Sequence, residues 1–263
     1  MSVSQARTFF MDNSNEFSPN DLKMLAELVK ADGRSGVTEA FKKLLKSKQS
    51  QAEEVERVKK LYEFQETIAS LPGQVILGLD EVGRGPLAGP LTLGGVVLKK
   101  SELILGLNDS KQISPKNREK IAEDIKKKSV CWKTFSVPAR YIDELGMTEC
   151  LKRGFKNIVE QIEADGIKPD VILLDGNPLS FDPREVNVVK GDAKCASIAA
   201  ASVVAKVERD NYMVSISDKY PEYNFASNKG YGSAQHIEAI KKHGLSPVHR
   251  KSFCTSFMQM SLF

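Results

Sequence analysis

Cysteine is scarce in this chain of 263 residues: Cys131, Cys150, Cys195 and Cys254 lie far apart, and no C-x-x-C pair occurs. Nothing there suggests a disulfide framework, structural zinc is not expected, and a reducing cytosol fits. Long apolar runs are lacking too. The run from Ile198 to Ala205 is far below the ~20 residues of a membrane span, and the N-terminus has no signal-peptide pattern. A soluble, cytoplasmic, monomeric protein without a membrane partner is expected. The three histidines, His236, His243 and His249, are not at metal-ligand spacing, which leaves them polar or phosphate-facing. Familiar nucleotide loops are absent as well. Gly83-Arg84-Gly85 followed by Gly89 misses G-x-G-x-x-G because Ala88 holds the third glycine position, and no G-x-x-x-x-G-K-[ST] occurs. Ser202 has no G-x-S-x-G setting.

What is present describes a globular chain, 41% apolar and 27% charged, with a mild net charge of +4. The first seventy residues balance eleven basic against eleven acidic side chains, so the excess lies downstream, as in Lys99–Lys128 with nine basic against five acidic. Residues 1–17 read as irregular. Ser18-Pro19-Asn20-Asp21 then has the cap, first-turn proline and early acid of a helix start, and Asp32-Gly33 ends that helix. Its apolar stripe is Leu22, Leu25, Leu28 and Val29. A second helix over Val37–Lys46 and a third over about 51–69 complete an all-α appendage, residues 1–72. Lys42, Lys43, Lys46 and Lys48 could face nucleic acid, although plain packing suits the balanced charge equally.

From residue 73 onward the texture is α/β. Strands are expected at 74–80, 91–98 and 130–137 as an antiparallel meander, with a helix at 115–128. A helix at 147–164, strands at 171–175 and 185–190, and a small-residue helix from Ala193 to about Arg209 follow. The stretch V-I-L-G-L-D-E-V-G-R-G-P-L-A-G, residues 75–89, organises the rest. Its apolar start reads as a buried strand, with Asp80 and Glu81 at the end. Unpaired buried charge costs several kcal/mol, roughly, and a hard divalent cation is the simplest compensation. Val171–Asp175 repeats the design, and parallel neighbours would bring the two terminal acids together. Asp192 follows a fifth strand. Singly, Asp192 could be only a helix cap and Asp175-Gly176 only a turn. Together, acids at strand ends beside a Gly-Arg-Gly loop suggest metal-assisted chemistry on a phosphodiester.

The run Asp80-Glu81-Val82-Gly83-Arg84-Gly85-Pro86-Leu87-Ala88-Gly89-Pro90 resembles the signature of bacterial ribonuclease HII, the type 2 ribonuclease H family. Asp109-Ser110-Lys111, Leu174-Asp175-Gly176, Lys190-Gly191-Asp192, Lys229-Gly230-Tyr231-Gly232 and His249-Arg250-Lys251-Ser252-Phe253 continue the likeness over about 74–256. The resemblance implies a ribonuclease H-like mixed five-stranded sheet flanked by helices. It implies two magnesium or manganese ions on Asp80, Glu81, Asp175 and Asp192. It also implies cleavage of RNA in RNA–DNA hybrids and 5′ of single ribonucleotides in duplex DNA, leaving 3′-OH and 5′-phosphate. Gly83, Arg84 and Gly85 would contact the ribonucleotide 2′-hydroxyl, Tyr231 would pack on the junction sugar, and Lys111 and Arg250 would contact phosphate. The N-terminal seventy residues fall outside the family pattern.

The final pentapeptide, Gln259 to Phe263, resembles a Q-L-[SD]-L-F peptide that docks onto the bacterial sliding clamp, with Gln259, Leu262 and Phe263 as its anchors. Two rival functions are a deoxyribonuclease or strand-transfer enzyme of the same fold, and a non-catalytic nucleic-acid or metal-binding module. The Gly-Arg-Gly loop argues against the first and the full set of four acids against the second.

Overall fold

A computed structural model describes residues 1–69 and 71–258; the pentapeptide 259–263 lies outside the described residues. The chain divides into two compact units, Met1–Arg57 and Val58–Phe263. The division falls inside a helix, not at Pro72.

The first unit holds α1 (Val3–Asp12), α2 (Pro19–Asp32) and the first part of α3 (Ser35–Ile68). Residues 1–17 are therefore not irregular. Ser2 and Gln5 form a capping box that starts α1, and Ser18 and Asp21 form a second that starts α2. Gly33, at φ 70°, ends α2 in the left-handed conformation that glycine adopts without strain. The two later helices expected from sequence are one, because 47–50 (S-K-Q-S) contains neither glycine nor proline to break α3. Phe10, Val29, Val37, Phe41 and Leu44 form the core of this unit, whereas Leu28 is exposed.

The second unit is built on a sheet of β1 (Ile76–Val82), β2 (Leu91–Val97), β3 (Cys131–Val137), β4 (Val171–Asp175) and β5 (Glu185–Val188) in the order β3-β2-β1-β4-β5. The first three form the expected antiparallel meander, and β4 runs parallel to both β1 and β5. The helices are α4 (Pro115–Lys128), α5 (Ala139–Leu145), α6 (Met147–Ala164), α7 (Gly191–Lys194), α8 (Ala196–Ser215), α9 (Phe225–Asn228), α10 (Ala234–His243) and α11 (Lys251–Met258). Cys195, in an extended conformation, divides α7 from α8 where sequence suggested one helix.

Strand alternation sends Leu77, Leu79, Leu91 and Leu93 to one face, against Phe155, Ile158 and Ile162 of α6. The other face takes α8, whose alanines let it lie almost on the backbone of the sheet. A Cβ on Gly78 would come within 2.2 Å of the Ser197 carbonyl carbon, and one on Gly94 within 2.4 Å of the Ala201 oxygen. The small residues of α8 are thus matched by glycines in β1 and β2. The near end of α3 packs here too: Val58, Leu61 and Tyr62 join Val96, Ile104 and the α8 alanines.

Candidate active site

Register decides where the acids meet. Leu79 of β1 pairs with Leu174 of β4 in parallel, so Asp80 and Asp175 are the next residues on adjacent strands. Parallel neighbours lie ~4.8 Å apart. Alternation puts both on the α8 face, since Leu77, Leu79, Ile172 and Leu174 fill the α6 face. Asp80 is buried, bonds to the Ser202 hydroxyl of α8 and accepts the Glu81 backbone N–H at 2.8 Å. Ser202 in turn meets the Ser110 hydroxyl at 2.9 Å. Asp175 accepts the Gly191 N–H at 2.6 Å, which ties the start of α7 to the end of β4 and brings in Asp192.

Asp80, Glu81 and Asp192 all hold protons more tightly than free carboxylates do. Asp80 is pushed well above the usual range by burial first and then by the charges of Glu81 and Asp175. Glu81 is raised by burial against the pull of Arg84, and Asp192 by burial, Asp175 and Asp109. Two cations lean on the rim: Arg84 Nη1 lies 3.2 Å from Glu81, and Lys111 Nζ lies 3.8 Å from both Asp192 and Asp109. Among the described residues no group of three or more His, Cys, Asp or Glu side chains already stands in metal-holding geometry. The donor set still has the chemistry of a hard-cation site. Its oxygens are anionic, half-buried or buried, and mutually repelled, with no sulfur or imidazole among them. A divalent cation fits that set.

The loop after Glu81 is supported from below by arginines. Gly83 has φ 99°, and a Cβ there would sit 2.4 Å from Arg209 Nε. Arg209, fully buried, donates to Pro90 O at 3.0 Å and Ala88 O at 3.2 Å. Arg250 was expected at a phosphate; it is instead fully buried. Its guanidinium donates to Gly83 O (2.6 Å), Arg84 O (3.0 Å) and Gly89 O (3.0 Å), carbonyls that have no strand partner in this tight loop. Burial and the neighbouring Arg209 push its pKa down to about 9. Arg84 itself stays exposed, as does Lys111.

Tyr231 is 44% exposed and follows a turn made by Lys229 (φ 51°) and Gly230 (φ 83°). Gly230 O accepts the N–H groups of Leu87 and Ala88, which fastens this turn to the loop of β1. Lys206 Nζ and the Arg209 guanidinium lie 5.9 and 5.7 Å from the Tyr231 ring centre. Sequence reasoning missed the support that Arg209 gives the loop and the bond from Ser202 to Asp80, and it read His236 and His249 as polar or phosphate-facing where they are a buried pair in contact. Sequence carried no signal for Arg209, which stands among Lys206, Glu208, Asp210 and Asn211 in the polar second half of α8.

The family model of ribonuclease HII matches residues 77–256. The chain belongs to the ribonuclease HII family. Ribonuclease HII of Clostridium acetobutylicum is 43% identical over 228 residues, covering 84% of this chain and 87% of the relative. That of Clostridium perfringens is 39% identical over 248 residues, 93% of this chain and 89% of the relative. An alignment of that extent leaves too few residues unmatched to omit the first 72, so part of the sequence ahead of the family model also aligns with this relative. Among solved structures, ribonuclease H2 of Pyrococcus horikoshii superposes with a TM-score of 0.59 at 28% identity, covering 70% of this chain and 97% of that one. Ribonuclease HII of Archaeoglobus fulgidus, solved in complex with PCNA, gives 0.59 at 27%, covering 67% and 94%. Family membership makes this chain a hydrolase of the metal-dependent ribonuclease H kind, cutting RNA in RNA–DNA hybrids. No helix among the described residues is long and apolar enough to cross a membrane.

Proposed function

We propose that this ribonuclease HII also incises duplex DNA 5′ of a single embedded ribonucleotide, leaving 3′-OH and 5′-phosphate, in ribonucleotide excision and primer removal. The observation that carries the reading is a shared frame. The loop Gly83–Gly85 leaves the same strand end that presents Asp80 and Glu81, and the Tyr231 turn is hydrogen-bonded to that loop through Gly230. One ribonucleotide differs from its neighbours only by a 2′-hydroxyl, so a reader must hold backbone close to the sugar next to the scissile phosphate. Gly85 suits that role. No protein atom stands within 4 Å of where its Cβ would be, and its φ is not left-handed, so nothing in the fold demands glycine there. A close-approaching ligand would.

Asp80, Glu81, Asp175 and Asp192 would hold two divalent cations, magnesium or manganese. Such ions supply an activated water and stabilise the leaving oxygen. The remaining roles belong to the chain: Ser202 and the Gly191 N–H orient Asp80 and Asp175, Arg84 and Lys111 draw in phosphate, and Tyr231 offers a ring to the sugar at the RNA–DNA junction. The test compares an all-DNA duplex with the same duplex carrying one ribonucleotide, each with magnesium or manganese. A single cut on the 5′ side of the ribonucleotide is expected, and equal cutting of the all-DNA duplex would favour a general deoxyribonuclease instead. The tail residues Gln259, Leu262 and Phe263 would dock this activity onto the sliding clamp. Deleting 259–263 should abolish clamp pull-down and leave cleavage of a short duplex intact.

A further inference from the structure

Beneath Tyr231 lie two histidines in direct contact, both buried: His236 of α10 and His249, with Nε2 atoms 3.0 Å apart. Tyr223 and Phe225 pack edge-on or tilted against both rings. The backbone decides where their protons sit. The Ser246 N–H donates to His249 Nδ1 at 3.0 Å, so Nδ1 is an acceptor and the proton of His249 is on Nε2. His249 therefore donates to His236 Nε2, which leaves the His236 proton on Nδ1. That atom is 2.8 Å from the Tyr231 carbonyl and donates to it. The chain of donors runs one way, from Ser246 through both rings to the backbone of Tyr231.

The same segment reaches the other half of the site. His249 forms a β-bridge with Ala88, the Arg250 N–H donates to Leu87 O, and the Arg250 side chain carries the carbonyls of Gly83 and Arg84. Residues 246–250 thus space the Tyr231 turn from the Gly83–Gly85 loop.

We propose that His236 and His249 are positioning residues for cleavage: their one-way hydrogen-bond chain fixes the Tyr231 carbonyl, and with it the placement of the Tyr231 ring against the Gly83–Gly85 loop, on which preference for a single ribonucleotide depends. The inference rests on the reading of Tyr231 and that loop given above. Both histidines are buried, and their hydrogen bonds run to each other, to Tyr231, to Ser233 and to Ser246, not to the acids.

The two amide isosteres separate the roles of the two nitrogens. In His236→Asn the amide nitrogen falls near the Nδ1 position and keeps the bond to Tyr231. In His236→Gln it falls near Nε2 and loses that bond. The full chain is assayed for kcat/KM on a duplex with one ribonucleotide and on a long RNA–DNA hybrid. His236→Gln should lower the ratio of the two about tenfold, the worth of one well-made hydrogen bond, while His236→Asn, which keeps the bond to Tyr231 but gives His249 Nε2 no acceptor, should fall between His236→Gln and wild type. Equal ratios for the two variants overturn the proposal. Should either variant fail to fold, 15N spectra of the wild-type imidazoles decide: protons on His249 Nε2 and His236 Nδ1 are expected, and the opposite tautomers refute it. Tyr231→Ala is the control. If it lowers both substrates equally, the junction reading fails; if it alters the ratio and His236→Gln does not, only the positioning role fails.

Discussion

Asp80 holds its charge at a cost to the fold, because burial and two neighbouring carboxylates all favour its protonated form. A neutral isostere relieves that cost and removes a donor from the site. Asp80→Asn should therefore raise the melting temperature measured in chelator, by about 2–4 °C for each kcal/mol relieved in a chain of this size. It should also lower cleavage on the order of 10³-fold, the upper range for loss of one preorganised electrostatic group. A mutant that melts lower without metal would mean the carboxylate is better compensated than its surroundings indicate. The glycines of the loop give a second contrast. Gly83→Ala meets both a left-handed φ and the Arg209 side chain and should cost ~1–3 kcal/mol of stability. Gly85→Ala meets nothing and should melt like wild type while losing cleavage at single ribonucleotides; unchanged cleavage would remove Gly85 from the reading of the 2′-hydroxyl. Sequence could mark the acids, since strand ends and carboxylates are both visible in it. It could not place Arg250. A guanidinium on a phosphate and one under a loop of unpaired carbonyls use the same five donors, and only the fold distinguishes them.

At the scale of elements, the strands were readable because apolar runs bounded by turn residues mark them, and β1 and β4, expected to bring their acids together if parallel neighbours, do pair in parallel. The helices were less so. A break near residue 47 was inferred where no breaker exists, and α1 was overlooked although its Ser2–Gln5 capping box was there to be read. The histidine pair shows what element packing adds. Burial pushes both imidazoles below the ordinary value, His249 to about 4 with the help of His236. In the unfolded chain they titrate near 6.5. Above that pH both states are neutral and the pair adds no pH dependence. As pH falls from about 6.5 toward 4 the unfolded chain takes up protons that the folded state refuses, so stability is lost across that window. Thermal melts at stepped pH should show this loss, and His249→Asn should flatten it. An equal slope in the variant would assign the acid sensitivity to other groups.

For the whole molecule, the informative boundary is the one inside α3. Composition and the Leu71-Pro72-Gly73 punctuation place an edge at 72, since local sequence reports where a helix stops and not which core it serves. Val58, Leu61 and Tyr62 are buried with Val96, Ile104 and the α8 alanines, the Tyr62 hydroxyl donates to Glu102 O, and Gln65 accepts the Ser197 N–H at 3.0 Å. A fragment 73–263 gives up all of these. At ~1.5–3 kcal/mol for each large apolar side chain, the lost burial rivals the 5–15 kcal/mol that typically hold a domain folded. A fragment 58–263 keeps them. We therefore expect 58–263 to melt cooperatively and cleave an RNA–DNA hybrid, and 73–263 to be unfolded or to melt far lower. Equal melting of the two fragments would show that the end of α3 only rests on the catalytic unit, and the edge at 72 would then be the better division.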